Sequence, residues 1–332
     1  MTALLELRDL SVRYPVAGSR GPGLTAVDAV NFSVDEREML GLVGESGCGK
    51  TTLGRAILRL VPLAAGEVRW QGRRIDRLNK RLFRPLRREL QLVFQDPNSC
   101  LDPRMTIAQS VAEPLRSLLP ALQPASRAER VSLHLKEVGI APEIAERYPH
   151  QLSGGQLQRA VIARALVVGP RFVVCDEPVS ALDVSVQGQI VNLLARIRRE
   201  RGLASLFISH NLAVVARLCE RVMVMYSGRI VETATRQDIV HSPRHPYTRE
   251  LLDAVPVVDA GARRRVFSRS AARAEALQPP ASIGCAFAAR CPHVLPKCRA
   301  EQPPLAAIAQ GRLVACHRAG EWPGGLPPRI VP

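Results

Sequence analysis

Leu40-Gly41-Leu42-Val43, then Gly44-Glu45-Ser46-Gly47-Cys48-Gly49-Lys50-Thr51-Thr52, then Leu53 to Leu60: an apolar strand, a glycine-rich turn and a helix follow one another here. Two glycines separated by four residues and followed by Lys and Thr make a phosphate-binding loop pattern. A polyphosphate needs several donors converging on one small anion, and only a loop nearly free of Cβ atoms turns successive backbone N–H groups inward. Gly44, Gly47 and Gly49 give that freedom, with Glu45, Ser46 and Cys48 between them. Lys50 is placed to reach the β- and γ-phosphates, Thr51 to ligate Mg²⁺, and Thr52 continues into a helix whose positive end faces the same anion. Leu53, Ala56, Ile57 and Leu60 recur at helical spacing and predict one buried face. By itself the pattern says only that a nucleotide is bound.

The chain has 332 residues, enough for one large domain and an appendage. Its 46% hydrophobic and 23% charged content is that of a globular protein. No apolar run approaches the ~20 residues that span a bilayer, and the start, Met1-Thr2-Ala3-Leu4-Leu5-Glu6, lacks the basic segment and apolar core of a signal peptide. The expectation is a cytosolic chain that reaches a membrane only through partners. The net charge of +16 is spread along the chain, and aromatics, at 4%, do not interleave with basic residues as base-stacking surfaces require. A nucleic-acid partner is therefore not expected. Cys48, Cys100, Cys175 and Cys219 are scattered and read as small core or loop residues, whereas Cys285, Cys291, Cys298 and Cys316 cluster in the tail.

Residues 4–13 and 29–34 read as strands, with a Gly/Pro/Ser-rich loop at 17–24 between them, and 66–72 as a further strand and turn. Together they suggest a small antiparallel sheet beside the nucleotide core. Residues 73–90 are basic and read as a solvated helical face; Leu90–Phe94 is a buried strand with Gln95 at its end. Prolines and helical pieces from Pro97 onwards form a helical insert, closing with Gln151-Leu152-Ser153-Gly154-Gly155-Gln156 and a helix from about Leu157 to Val168. Arg171–Asp176 is an apolar strand ending in Asp176-Glu177, Ser205–Ser209 a strand ending at His210, and 221–232 a hairpin turning at Ser227-Gly228. Strands alternating with helices predict a mostly parallel sheet covered on both faces. From Val255 the composition turns loop-rich, marked by Arg263-Arg264-Arg265, Pro279-Pro280 and Pro303-Pro304.

Asp176 and Glu177 stand where a buried strand emerges, the customary position of ligand-binding residues in open α/β sheets. One carboxylate can serve Mg²⁺ while its neighbour orients a water against the γ-phosphate; an Asp-Glu helix cap is the plainer alternative. Ser153-Gly154-Gly155-Gln156 before a helix is a second potential anion site, or else a flexible turn. A second phosphate-recognising turn on a separate insert makes sense if it closes over nucleotide bound to another subunit.

The motifs in this order resemble the ATP-binding subunits of ABC transporters: the loop Gly44–Thr51, Gln95 of Phe94-Gln95-Asp96-Pro97, the signature Leu152–Gln156, the strand Phe172–Glu177, the turn Ser180-Ala181-Leu182-Asp183, and His210. The resemblance implies an α/β fold: a P-loop NTPase core with an antiparallel β subdomain, a helical signature subdomain at about 97–168 and a small Cys-containing C-terminal extension. It also implies that Tyr14 stacks on adenine, Gln95 senses Mg²⁺ and the membrane partner, Asp176 serves the metal, Glu177 is the general base, His210 contacts the γ-phosphate and Asp183 communicates across a dimer. Phe94–Ser99, Leu101–Met105, Val179–Gln187 and His245-Pro246-Tyr247-Thr248 are similar to the oligopeptide/dipeptide importer branch, and importers of nickel and related solutes share much of this. Two departures are Arg37, where Gly is customary, and Asn211, where Asp often follows the His.

Four clustered thiols in a cytosolic chain suit metal better than disulfides. The spacing Cys285-x5-Cys291-x6-Cys298-x17-Cys316 is wide for zinc. Four thiolates can instead hold a [4Fe–4S] cluster, which the resemblance to the importers' C-terminal extension also implies; zinc and unligated thiols stay open as alternatives.

The expectation is thus a motor subunit with cassette 1–254 and extension 255–332, binding ATP and Mg²⁺, paired with a copy or paralogue. Its other partners are two transmembrane permeases and, indirectly, an extracytoplasmic binding protein, at the cytoplasmic membrane face. The competing readings are a soluble ABC ATPase acting on nucleic acid and a non-hydrolysing regulatory subunit.

Overall fold

Apolar runs and turn residues resolve into twelve strands among the residues described by the computed structural model, 3–15, 23–254 and 283–322. They are β1 (Leu5–Tyr14), β2 (Leu24–Val34), β3 (Met39–Val43), β4 (Ala65–Trp70), β5 (Arg73–Arg74), β6 (Leu90–Val93), β7 (Phe172–Asp176), β8 (Ala204–Ser209), β9 (Arg221–Tyr226), β10 (Arg229–Thr235), β11 (Ala306–Ala309) and β12 (Arg312–Val314). The expected antiparallel sheet is there, in the order β2-β1-β4-β5. The main sheet runs β11-β12-β10-β9-β3-β8-β7-β6, parallel from β9 to β6 and antiparallel beyond. Ser227 and Gly228 turn the β9–β10 hairpin with φ of 47° and 83°, the left-handed pair that a two-residue hairpin favours.

Every residue of β3, β7 and β8 is buried, as parallel strands covered on both faces require. One core packs the helix Lys50–Ile57 between the main sheet and the antiparallel sheet. The other packs the insert helices Ile107–Leu118, Pro124–Glu137 and Gly154–Leu166, with Val184–Arg201 and Leu212–Leu218, against the opposite face. The C-terminal ends of β3, β6, β7 and β8 consequently open on one crevice.

Three expectations change. The helix after the loop begins at Lys50 and closes at Leu58; Arg59 takes φ 53°, and Leu60, 45% exposed, is off the buried face. Residues 73–90 form two four-residue helices, Lys80–Phe83 and Leu86–Glu89, instead of one helical face. The tail is less loop-like than its composition: β11 and β12 extend the main sheet. Residues 17–22 of the Gly/Pro/Ser loop, Arg263-Arg264-Arg265 and Pro279-Pro280 lie outside the described residues. Arg37 adopts φ 64° in the turn before β3, a left-handed backbone that costs a non-glycine residue roughly 1 kcal/mol. Asn211 fills the place of the customary Asp as the cap of Leu212–Leu218, accepting the Ala213 N–H at 3.0 Å. No helix among the described residues is long and apolar enough to cross a membrane.

A buried ion pair fastens the extension to the cassette. Glu232 on β10 is fully buried and accepts hydrogen bonds from Arg312 Nη2 on β12 at 3.0 Å and from the backbone N–H groups of Arg244 and His245, each at 2.9 Å. Removing one member of such a pair strands the other charge in the core. Glu232→Ala is expected to lower unfolding free energy by about 3 kcal/mol, measured by denaturant titration of the full chain; a loss near zero would contradict the fastening.

Candidate functional site

The loop leaves β3 at Gly44 and enters the helix at Gly49, and at both points there is no room for a side chain. A Cβ on Gly44 would stand 2.2 Å from the Met225 carbonyl oxygen, and one on Gly49 2.2 Å from that of Ala26; Gly49 also has φ 107°. Lys50 is 4% exposed, and its Nζ donates to the carbonyl oxygens of Gly44 and Glu45, 2.8 Å each. The ammonium is thereby folded back over the loop. Tyr14, at the end of β1, places its hydroxyl 3.4 Å from Thr52 Oγ1, and Cys48 is buried beneath the loop.

Asp176, at the end of β7, is 4% exposed and accepts the Thr51 hydroxyl at 2.9 Å. Burial pushes its carboxyl above the ordinary range; the Thr51 hydrogen bond opposes this, and the neighbouring Glu177 charge adds to it. Glu177 has φ 45°, an unfavourable backbone for a glutamate, held by its N–H donating to Ile208 oxygen at 3.0 Å. Its carboxylate gathers three expected site residues: Lys50 Nζ at 3.7 Å, His210 Nδ1 at 3.1 Å and Gln95 Nε2 at 3.5 Å. Glu45, Ser46, Gln95, Glu177 and His210 line one cleft of about 670 Å³. The hard oxygen donors of Thr51 and Asp176, hydrogen-bonded to each other, and of Gln95 in the cleft are of the kind that suits Mg²⁺.

The remaining expected residues lie elsewhere. Ser153 caps the helix Gly154–Leu166 through a capping box: its side chain accepts the Gln156 N–H at 3.4 Å, and Gln156 Oε1 accepts the Ser153 N–H at 3.0 Å. Gly154 and Gly155 pack against Leu182 and Val186, around the turn that holds Asp183. None of Ser153, Gly154, Gly155, Gln156 and Asp183 lines the cleft of Glu177, so within one chain the signature turn does not meet the phosphate loop. Val184, beside Asp183, is 85% exposed.

In the extension, Cys285, Cys291, Cys298 and Cys316 line one small cavity with Phe287, His245 and Trp322. Burial raises the Cys285 thiol and pushes that of Cys316 up to about 12. Among the described residues no three His, Cys, Asp or Glu side chains gather closely enough to hold a metal ion, so the structure supports neither the expected [4Fe–4S] cluster nor the zinc alternative.

Sequence reasoning missed two residues that reach the loop from the C-terminal side. The Tyr247 hydroxyl accepts the Glu45 N–H at 2.8 Å, and Arg290 forms a two-pronged pair with the Glu45 carboxylate, at 2.7 and 2.8 Å. The His245-Pro246-Tyr247-Thr248 motif marked Tyr247, and Arg290-Cys291-Pro292 of the extension marked Arg290, both without a role.

Two family models match the chain: "ABC transporter" over residues 27–180, and "Oligopeptide/dipeptide transporter, C-terminal region" over 231–298. The oligopeptide transport ATP-binding protein OppF of Escherichia coli is 44% identical over 310 residues, 91% of this chain and 92% of that protein. A probable peptide ABC transporter ATP-binding protein, y4tS of Sinorhizobium fredii, is 46% identical over 319 residues, 95% of this chain and 90% of that one. Among solved structures, the dimeric ATP-binding cassette MJ0796 bound to ADP and Pi superposes with a TM-score of 0.64 at 29% identity, covering 70% of this chain and 98% of that one.

A side chain at the helix entry breaks the loop. Gly49→Ala is expected to cost more than about 2 kcal/mol, from the left-handed backbone and the carbonyl clash together, read as a lowered unfolding midpoint of nucleotide-free protein. An unchanged midpoint would refute the geometry.

Proposed function

The chain belongs to the ABC transporter family, as an ATP-binding subunit of the oligopeptide/dipeptide importers, and from this we propose how its residues divide one ATP cycle between two such subunits. The observation that carries the reading is that Lys50, Gln95 and His210 converge on Glu177, which lines a cleft that the signature turn of the same chain does not line. ATP bound by Gly44–Thr52 of one subunit is capped by Ser153–Gln156 of a second, a copy or a paralogue, with Asp183 and the exposed Val184 at their junction. The dimeric cassette among the similar structures supports this arrangement.

Tyr14 flanks the base, and the loop N–H groups and Lys50 bind the phosphates. Thr51, Asp176 and Gln95 would hold Mg²⁺, which would neutralise charge on the phosphates. Glu177 orients the attacking water and takes its proton, and His210, 3.1 Å from Glu177, steadies that carboxylate and meets the γ-phosphate. Closure of the two cassettes over ATP pulls on two membrane-embedded permeases, and hydrolysis resets them. The binding protein that delivers peptide never touches this chain. Peripheral attachment at the cytoplasmic membrane face follows from those partners, with 1–254 as the motor and 255–332 as its extension. The relatives named above are peptide transporters, which favours peptide over nickel and over a role on nucleic acid.

Glu177→Gln is expected to reduce ATP turnover by about 10²-fold or more while MgATP still binds; MgATP-dependent dimerisation, followed by light scattering, should persist in that variant. Undiminished turnover would remove Glu177 from the chemistry.

For the extension we propose a [4Fe–4S] cluster on Cys285, Cys291, Cys298 and Cys316. The support for this reading is that all four thiols line one cavity, and that four thiolates are the ligand set such a cluster takes. Such a cluster would staple a proline-rich segment with little core of its own. Anaerobically purified protein is expected to hold about four irons and four sulfides per chain, lost in Cys291→Ser; zinc alone, or no metal, would rule the cluster out.

A further inference from the structure

Glu45 is the second residue of the phosphate loop, and all three of its polar groups are held. Its carbonyl oxygen accepts Lys50 Nζ at 2.8 Å, from within the loop. Its N–H and its carboxylate are held from the other end of the chain, by the Tyr247 hydroxyl and by Arg290. Tyr247 and Arg290 both lie in residues 231–298, the part matched by the C-terminal family model.

Arg290 is built into place. Its guanidinium centre lies 5.7 Å from the ring of Tyr226, 5.9 Å from that of Tyr247 and 5.5 Å from that of Phe287. The rings touch one another: Tyr226 and Tyr247 are 4.7 Å apart, and Phe287 is 5.2 Å from Tyr226. Besides Glu45, Arg290 hydrogen-bonds Glu250. The backbone of Arg290 and Cys291 is tied to the Phe287 carbonyl, 3.0 Å each, so the arginine rides on the turn whose cysteines line the thiol cavity.

The charge arrangement gives the pair a task. Glu45 lines the cleft of Glu177 and His210 and is 43% exposed. Without Arg290 the Glu45 carboxylate would lose both prongs of its pair, and Glu250 the hydrogen bond that Arg290 donates to it. A Glu45 carboxylate freed of that pair would stand at the cleft as a tethered anion, beside the loop that takes the phosphates. A carboxylate released there also repels the phosphate chain, and repels a triphosphate more than a diphosphate.

We propose that Arg290 is a positioning residue for the ATP site: by clamping the Glu45 carboxylate it keeps a competing negative charge away from the phosphates, so that the C-terminal extension sets the affinity of the cassette for MgATP. This rests on the reading that Gly44–Thr52 binds ATP. It makes the extension part of the nucleotide site, and the turn Cys285–Cys291 the connection between the thiol cavity and the phosphate loop.

The test is a double-mutant cycle on the full chain, titrated with MgATP and with MgADP: wild type, Arg290→Gln, Glu45→Gln and the two together, with unfolding midpoints measured in parallel. Arg290→Gln is expected to weaken MgATP binding by about tenfold, the order of one charged pair, and MgADP binding by less. With Glu45→Gln already present, the same change should cost little, because no carboxylate remains to be released. Equal losses for ATP and ADP, the same loss in both backgrounds, or no loss at all would overturn the clamp and leave Arg290 a structural staple. Should Arg290→Gln fail to fold, Arg290→Lys keeps the charge without the two-pronged geometry and decides by the same comparison of ATP with ADP. Lys50→Ala separates the two readings: if it leaves MgATP binding intact, the assignment of the loop fails, whereas a clamp that fails while Lys50→Ala abolishes binding leaves that assignment standing.

Discussion

A lysine ammonium that is 4% exposed is the constraint on which the site depends. Burying a cation is affordable only with close, well-aimed acceptors. The Gly44 and Glu45 carbonyls and the Glu177 carboxylate supply them. For those carbonyls to point at Lys50, the loop must wrap tightly, and this excludes a Cβ at Gly44 and Gly49. The same wrapping turns the loop's N–H groups towards an anion. Strand, turn and helix are in this sense one device: β3 delivers the turn, and the helix Lys50–Ile57 supplies both the lysine and its own positive end.

Glu177 couples that device to the rest of the sheet. Held at φ 45° where β7 ends, it presents its carboxylate to Lys50 from the loop after β3, to Gln95 beyond β6 and to His210 beyond β8. A carboxylate in contact with side chains that follow three different strands is sensitive to small shifts in any of them. Gln95 lies at the border of the helical insert, so motion of the insert has a direct path to the carboxylate. The signature turn has the opposite character. Its capping box satisfies its own helix end internally, which leaves a preformed N-terminus presented to whatever lies outside the chain.

The legibility of the sequence followed the range of the interactions. The phosphate loop could be read because glycine spacing is dictated by anion geometry within nine residues, and Asp176-Glu177 because an apolar run ending in carboxylates marks a strand end. Helix limits were less exact: Lys50, Thr51 and Thr52 show no apolar period, so the helix was placed from Leu53, and nothing in the pattern warned that Arg59 would break it before Leu60. A three-residue strand such as β12 is too short for periodicity, and the tail therefore read as loop although it joins the sheet. The thiols were legible as a group but not as a geometry: their sequence spacing does not say that all four line one cavity. Arg290 and Glu45 are 245 residues apart, beyond any local signal.

Two of the extension's contacts with the cassette are an arginine on a carboxylate: Arg312 with Glu232 inside the sheet, Arg290 with Glu45 at the cleft. Lysine could supply the charge at either place but not the planar fork, which fixes direction as well as distance. The environments differ in what that fixity does. Glu232 is fully buried and saturated by backbone donors, so its pair is a fastening whose loss is felt in stability. Glu45 is partly exposed and lines the cleft, so the energy of its pair is modest in water, and its effect lies in where it holds a negative charge. One junction anchors the extension to the sheet; the other lets the anchored extension bear on the nucleotide, and without the first the second would have no fixed point to act from.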